Sequence, residues 1–230
     1  SMLIFLTYNW DIIAVLFSVI AFYLVKNNDD ESLIPLIRAN KGYKENGNLL
    51  AAGFLALGAS AKLYPIFYLP ILLLKAKNLA ERIKIVLISG FTLLAVNLPF
   101  MVMNFSGWSY FLNLNSARNS NPDSIWTIAR FFFRGLTIPQ INFLSLALFL
   151  SGFCFLLWKF RQESFLKLCF GATIIFLLFN KVFTPQYLMW LLPFFVLMPE
   201  LKKNAFYALE FFNLAALFSI LPWFFTSQDI

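Results

Sequence analysis

Two long apolar runs in this chain each carry a lysine followed closely by a proline: Lys62-Leu63-Tyr64-Pro65 and Lys181-Val182-Phe183-Thr184-Pro185-Gln186-Tyr187. A charge in membrane-grade sequence costs about 2.5–3.5 kcal/mol at a helix centre on insertion scales, so it is rarely kept without a task. The proline removes a backbone donor and opens the helix, which lipid tolerates only where the freed groups are buried or line a wet cavity. Two such breaks predict short helices meeting at a polar cavity. Ammonium groups at both breaks predict an anionic ligand there.

Of the 230 residues, 60% are hydrophobic and 13% charged. Soluble domains carry roughly 25% charged residues, so the composition predicts an all-α, polytopic transmembrane helix bundle, read as one domain over residues 1–230. Thirteen of the eighteen Lys and Arg fall in four clusters: Lys26 to Lys44, Lys75 to Lys84, Lys159 to Lys167, and Lys202 with Lys203. They occupy short loops between apolar spans, which argues against nucleic-acid binding and predicts a cytoplasmic location for all four. The chain has no histidine, which removes His-based metal sites and Ser-His or Cys-His catalysis. Cys154 and Cys169 lie within apolar runs and show no disulfide or metal spacing. Ser1 to Thr7 lacks the basic start and cleavage site of a signal peptide, and the abrupt apolar opening is that expected of a fragment.

The first predicted span is Asp11 to Val25, entered through Asn9-Trp10-Asp11, where a carboxylate suits a helix N-terminus. A polar loop is expected from Asn27 to Asn48. Leu49 to Leu74 has basic residues at both flanks, so a broken hairpin is predicted, rising to Lys62 and returning from Tyr64. Ala52, Ala56 and Ser60 form its close-packing stripe. Ile83 to Met103 and Gln140 to Trp158 are predicted spans on either side of an outer loop, Asn104 to Pro139. Phe165 to Met198 repeats the broken-hairpin pattern around Lys181 and Pro185, and Ala205 to Phe225 is the last span. In the outer loop, Asn121-Pro122 reads as a helix start. The spacing of Ile125, Ile128, Ala129 and Phe132 opposite Asp123, Thr127, Arg130 and Arg134 predicts an interfacial amphipathic helix.

This topology leaves Lys62, Arg118, Arg130, Arg134 and Lys181 on the outer side, against Asp11, Asp123 and Asp229. Plainer readings stand beside the anion site. Lys62 and Lys181 could snorkel to the interface, and the arginines could meet lipid phosphates. Asp11 could cap a helix. Trp108, Trp126, Tyr187 and Trp190 could form an aromatic belt. Asn97-Leu98-Pro99-Phe100 reads as a helix end or kink.

Taken together, Asn9-Trp10-Asp11-Ile12-Ile13-Ala14-Val15, Gly58 with Lys62-Leu63-Tyr64-Pro65 and Pro70, Asn97-Leu98-Pro99-Phe100, Ser124-Ile125-Trp126, and Asn180 through Trp190 resemble the GT-C superfamily of polyprenol-phosphate-sugar-dependent glycosyltransferases. The similarity is to glycosyltransferase family 87, an α-mannosyltransferase-like group, with the GPI mannosyltransferase I group more distant. The resemblance implies a GT-C-like bundle with an active site at the outer membrane face. It implies a hexose, mannose at family level, moving from a polyprenyl-phosphate donor to a lipid-linked or other glycan acceptor, with no cofactor and no metal. The location implied is the bacterial inner membrane, with the site facing the periplasm or cell exterior.

The family's catalytic acid belongs to a first outer loop that should lie upstream of Asn9, so Asp11 is not assigned as the base and the fragment itself is expected to be inactive. Charge grows on the leaving polyprenyl phosphate in the transition state, and cations aimed at it would stabilise it. Lys62, Arg118, Lys181 and Arg130 are the candidate phosphate contacts; Asn9, Asp11, Tyr64, Gln186 and Tyr187 are candidates to orient the sugar or shape the cavity. A transporter or flippase of an anionic lipid or lipid-linked sugar also uses broken helices with charges at the junctions. A structural membrane subunit is the third reading.

Overall fold

Helices in this chain start where polar side chains take up free backbone N–H groups, and proline opens the 3-10 turn at two of the breaks between them. The computed structural model describes residues 10–29 and 41–226, so Asn9, Asn40 and Asp229 lie outside the described residues. Among the described residues every regular element is helical: α1 (Asp11–Asp29), α2 (Lys41–Ala61), α3 (Tyr68–Lys75), α4 (Leu79–Met103), α5 (Phe105–Ala117), α6 (Ile125–Phe132), α7 (Ile138–Lys159), α8 (Phe165–Phe179), α9 (Leu192–Leu197) and α10 (Lys203–Thr226), with 3-10 turns at Tyr64–Phe67 and Pro185–Leu191.

Both lysine–proline breaks are present. The last turn of α2 closes with Lys62 N–H donating to Gly58 O at 2.9 Å. Pro65 then opens the 3-10 turn, and α3 returns alongside. A Cβ on Gly58 would stand 3.2 Å from Pro65 Cγ and 3.4 Å from Phe17 Cβ. Glycine is what lets the return arm fold so close to the rising one. At the second break the backbone of Asn180 is extended, and its side chain bridges to Val182 through Nδ2–H to the carbonyl and Oδ1 from the N–H. Pro185 starts the returning 3-10 turn.

Three boundaries differ from the expected ones. The polar loop predicted to run to Asn48 is helical from Lys41, because no proline lies between Lys41 and Asn48 and Asn48 Nδ2 is held by Glu81 Oε1 at 2.9 Å. Asn121-Pro122 does not start the amphipathic helix. Ser124 caps it by accepting from Trp126 N–H, while Asn121 Oδ1 is taken by Arg118. The helix α4 runs through Pro99 to Met103 without ending at Asn97-Pro99, and the outer loop contains a further helix, α5, capped by Asn104.

Ala51, Ala52, Leu55, Ala56 and Ala59 on α2 are buried, as are Ala14, Ala21 and Phe22 on α1. Small residues let these helices approach closely, the packing available where lipid removes the hydrophobic drive between them. Phe22, Tyr68 and Phe194 are fully buried in one aromatic cluster that joins α1, α3 and α9. Two described helices, α4 and α7, are long and apolar enough to cross a membrane by length and composition, and most of their residues are exposed. Apolar surface so extensive on the outside fits a lipid solvent, and the fold is that of a helical membrane bundle.

The bundle has two chemically different ends. Asn48 meets Glu81, the Lys75 ammonium donates to Arg161 O at 2.9 Å, and Glu200 lies within electrostatic range of Lys167. The basic segments around Lys75–Lys84, Lys159–Lys167 and Lys202–Lys203 therefore gather at one end. Asp11, Lys62, Lys181, α5 and α6 occupy the other.

Candidate functional site

The two broken hairpins end below the tops of their neighbours. Ser60, just before the first break, meets Asn97 of α4, and the carbonyl of Phe179, just before the second, accepts from Ser145 Oγ of α7 at 2.6 Å. At 1.5 Å per residue, α4 rises about 9 Å beyond Asn97 and α7 starts about 10 Å above Ser145. The breaks thus sit at the floor of a recess walled by longer helices.

On that floor, Lys62 Nζ lies 2.7 Å from Asp11 Oδ1, with the lysine side chain 29% exposed and the aspartate 0%. The same ammonium stands over the Tyr187 ring, 5.0 Å from its centroid, and 6.0 Å from that of Trp190. Tyr64, Trp190 and Tyr187 stack in that order, with centroids 4.2 and 4.4 Å apart. Residues from α1, the end of α2 and the second break therefore hold one cation: a carboxylate supplies charge, and the ring faces supply quadrupole attraction. Lys62 is directed into the protein. Asp11 Oδ2, Thr184 Oγ1 and Trp190 Nε1 are buried without a hydrogen-bond partner among the described residues. Buried polar atoms normally find partners, so these three mark a region suited to a polar ligand.

A second set of cations borders this floor. Lys181 Nζ donates to the carbonyls of Ser116 (3.3 Å) and Arg118 (3.0 Å), and Asn121 N–H donates back to Lys181 O at 3.0 Å. The segment that follows α5 is thereby fastened across the second break. Arg118 Nη2 donates to Asn121 Oδ1 and Arg130 Nη1 to Asn119 Oδ1, both at 3.1 Å. Among the described residues the ion pairs are Lys62–Asp11 and Lys167–Glu163, so Arg118, Arg130 and Lys181 have amide and carbonyl partners and no carboxylate. Asp123, in the same loop, has its pKa raised by burial alone. Asp11 and Arg118 both act electrostatically on Tyr187, and Arg118 acts on Lys181. Asp11, Lys62 and Tyr187 are therefore in contact, and the linked Arg118 and Lys181 lie within electrostatic range of Tyr187.

Of the remaining candidates, Tyr64 is buried beneath Trp190 with its hydroxyl 3.5 Å from Ser18 Oγ, and Gln186 is half-buried on the returning turn. Asn9 lies outside the described residues. Arg134 is exposed at the end of the outer loop. Trp190, which the sequence offers as a belt residue and as the end of the Asn180–Trp190 motif, is buried at the centre of the stack. Trp126 and Trp108 likewise donate inward, to Phe179 O at 2.7 Å and Asn97 Oδ1 at 3.0 Å. A belt explains none of the three. The amphipathic helix α6 does present Ile128 and Phe132 outward, as an interfacial helix would.

These features define a helical membrane protein with a recessed, cation-rich site at the end opposite its basic loops. The chain belongs to glycosyltransferase family 87, whose profile matches residues 5–185. It is similar to proteins named GPI mannosyltransferase 1. With that of Kluyveromyces lactis it shares 27% identity over 186 residues, covering 73% of this chain and 46% of the relative. With that of Candida albicans it shares 27% over 173 residues, covering 64% and 42%. With that of Saccharomyces cerevisiae it shares 34% over 91 residues, covering 40% and 20%. The chain thus spans less than half the length of these relatives. No solved structure matches it.

Proposed function

We propose that this chain forms the donor-binding part of a membrane mannosyltransferase that takes a hexose from a polyprenyl-phosphate carrier and passes it to a lipid-linked or other glycan acceptor. The observation that carries the reading is the group Arg118, Arg130 and Lys181, cations without carboxylate partners among the described residues, at the same end of the bundle as the Lys62–Asp11 pair. A phosphate there would supply the missing negative charge. Its charge grows as the sugar–phosphate bond breaks, and cations fixed beside it stabilise that change more than the ground state. Family membership and the names of the relatives support a sugar transfer.

Asp11 is engaged by Lys62 and buried, so its role in this reading is to hold the ammonium in place. Tyr187 stands beside it, with Gln186 next on the same turn, and these two are the groups proposed to meet sugar hydroxyls. The group that takes the acceptor's proton is expected elsewhere in the protein, as the family resemblance implies. With the basic loops in the cytoplasm, the recess faces the other side of the membrane, which is the periplasmic face in a bacterial inner membrane.

The test uses the full-length gene product in vesicles, with labelled polyprenyl-phosphate mannose and candidate glycan acceptors. Transfer of label to an acceptor supports the proposal. Movement of the labelled lipid between leaflets without transfer would instead identify a flippase, and neither outcome would leave a structural subunit.

A further inference from the structure

At the opposite end, α7 finishes in a groove of about 440 Å³ lined by Phe155, Trp158, Lys159 and Arg161. We propose that this groove binds an anionic phospholipid of the leaflet that faces the basic loops. The inference is independent of the donor site.

The groove combines the two surfaces such a lipid needs. Trp158 is 73% exposed and Phe155 50% exposed, on a helix long and apolar enough to cross a membrane. These rings offer contact to acyl chains at the depth where aromatic side chains favour the interface. Just beyond them stand two cations. Lys159 Nζ is held over the rings of Phe155 (5.5 Å) and Phe160 (6.0 Å). Among the described residues neither Lys159 nor Arg161 has a carboxylate partner. Of the nearby acids, Glu163 pairs with Lys167 at 3.0 Å, and Glu200 lies within electrostatic range of the same lysine. Charge complementarity therefore selects an anionic headgroup over a zwitterionic one. The lining comes from the end of α7 and the turn after it, and basic residues clustered just beyond a membrane helix attract anionic headgroups.

Occupancy would also reach the site. The Lys75 ammonium, at the end of α3, donates to Arg161 O. A lipid that fixes the Arg161 turn thus fixes the base of the hairpin arm that leads back from Pro65.

The experiment places the full-length protein in vesicles containing phosphatidylglycerol or phosphatidylcholine with acyl chains brominated near the headgroup. Fluorescence lost in Trp158→Phe identifies the local reporter. Its quenching should favour brominated phosphatidylglycerol, with each cation contributing roughly five-fold at low salt. Lys159→Ala/Arg161→Ala should abolish the preference, and Lys202→Ala/Lys203→Ala, on the same basic face, should keep it. Equal quenching by the two lipids would overturn the proposal. So would a preference that survives in the first double variant or vanishes equally in the second, since either outcome means diffuse surface charge. If the first double variant does not fold, Lys159→Gln alone should lose about five-fold, and an unchanged preference there overturns the proposal as well.

Discussion

The Lys62 ammonium and the Asp11 carboxylate stand 2.7 Å apart, joining the N-terminus of the first described helix to the point where α2 breaks. Asp11 is wholly buried, and its second oxygen has no donor among the described residues. Truncating one partner of such a pair leaves a buried charge uncompensated, whereas replacing both by neutral groups of similar volume avoids that penalty. Lys62→Met should therefore destabilise the protein by about 3 kcal/mol. Asp11→Asn/Lys62→Met should recover most of that loss. Unfolding titrations in mixed micelles measure both, and additive losses would mean that the two groups are not coupled.

The cations divide into those that face the recess and those that face the basic loops. In the full-length enzyme, Arg118→Ala should lower sugar transfer about 100- to 1000-fold, the usual cost of removing one electrostatic contact to a developing charge. Lys84→Ala, an exposed position near the start of α4 at the basic end, should leave turnover within about two-fold, because charges separated by more than a Debye length of roughly 8–10 Å are largely screened. Rates are to be normalised to folded protein. Near-normal turnover in Arg118→Ala would remove it from the donor site.

Gly58 is a packing test of the first break. Its absent side chain leaves Pro65 room, with a built Cβ only 3.2 Å from Pro65 Cγ. Alanine should change stability by less than about 1 kcal/mol, because its crowding of Pro65 is offset by what alanine gains over glycine inside a helix. Valine should cost about 3 kcal/mol, as overpacking of a close contact does. Because the displaced proline leads into the Tyr64 stack, Gly58→Val should also change Trp190 fluorescence. An unaffected spectrum together with unchanged stability would show that the return arm is not fixed by this contact.

What could be read from the sequence was the chain's discontinuities. Pro65 and Pro185 forbid one continuous helix through either run for a local reason, the loss of a backbone donor, and so both breaks and the α2 packing stripe were visible without a structure. The helix α8 nevertheless already ends at Phe179, well before Pro185. The Asp11–Lys62 pair was not, because it forms across the bundle and depends on how α1 meets α2. The helix α5 was missed since Phe105-Ser106-Gly107-Trp108-Ser109-Tyr110 has no clean apolar period. Its cap, Asn104 accepting from Gly107 N–H, was the available signal. The start of α6 was misplaced for a similar reason: Asn121-Pro122 has good capping chemistry, but Arg118 and Thr127 claim Asn121, leaving Ser124 to cap. Trp126 and Trp190 were legible as interfacial aromatics and are instead anchors, a choice decided by tertiary partners.

The orientation of the bundle can be settled by labelling. Lys75 meets Arg161, and Asn48 meets Glu81, so the turns around Asn78 and Arg161 share one end, while Asn115 lies on α5 at the other. With Cys154 and Cys169 replaced, single cysteines at Asn115 or Gln140 should react with an impermeant thiol reagent added to intact cells. A cysteine at Asn78 should react only after the membrane is opened. Asn78 precedes α4 and caps it, accepting from Glu81 N–H, so its side is also the side on which the first hairpin returns. Labelling of Asn78 from outside, with Asn115 protected, would invert the bundle and place Lys62 and Arg118 in the cytoplasm. A polyprenyl-phosphate donor on the outer leaflet could then no longer reach them.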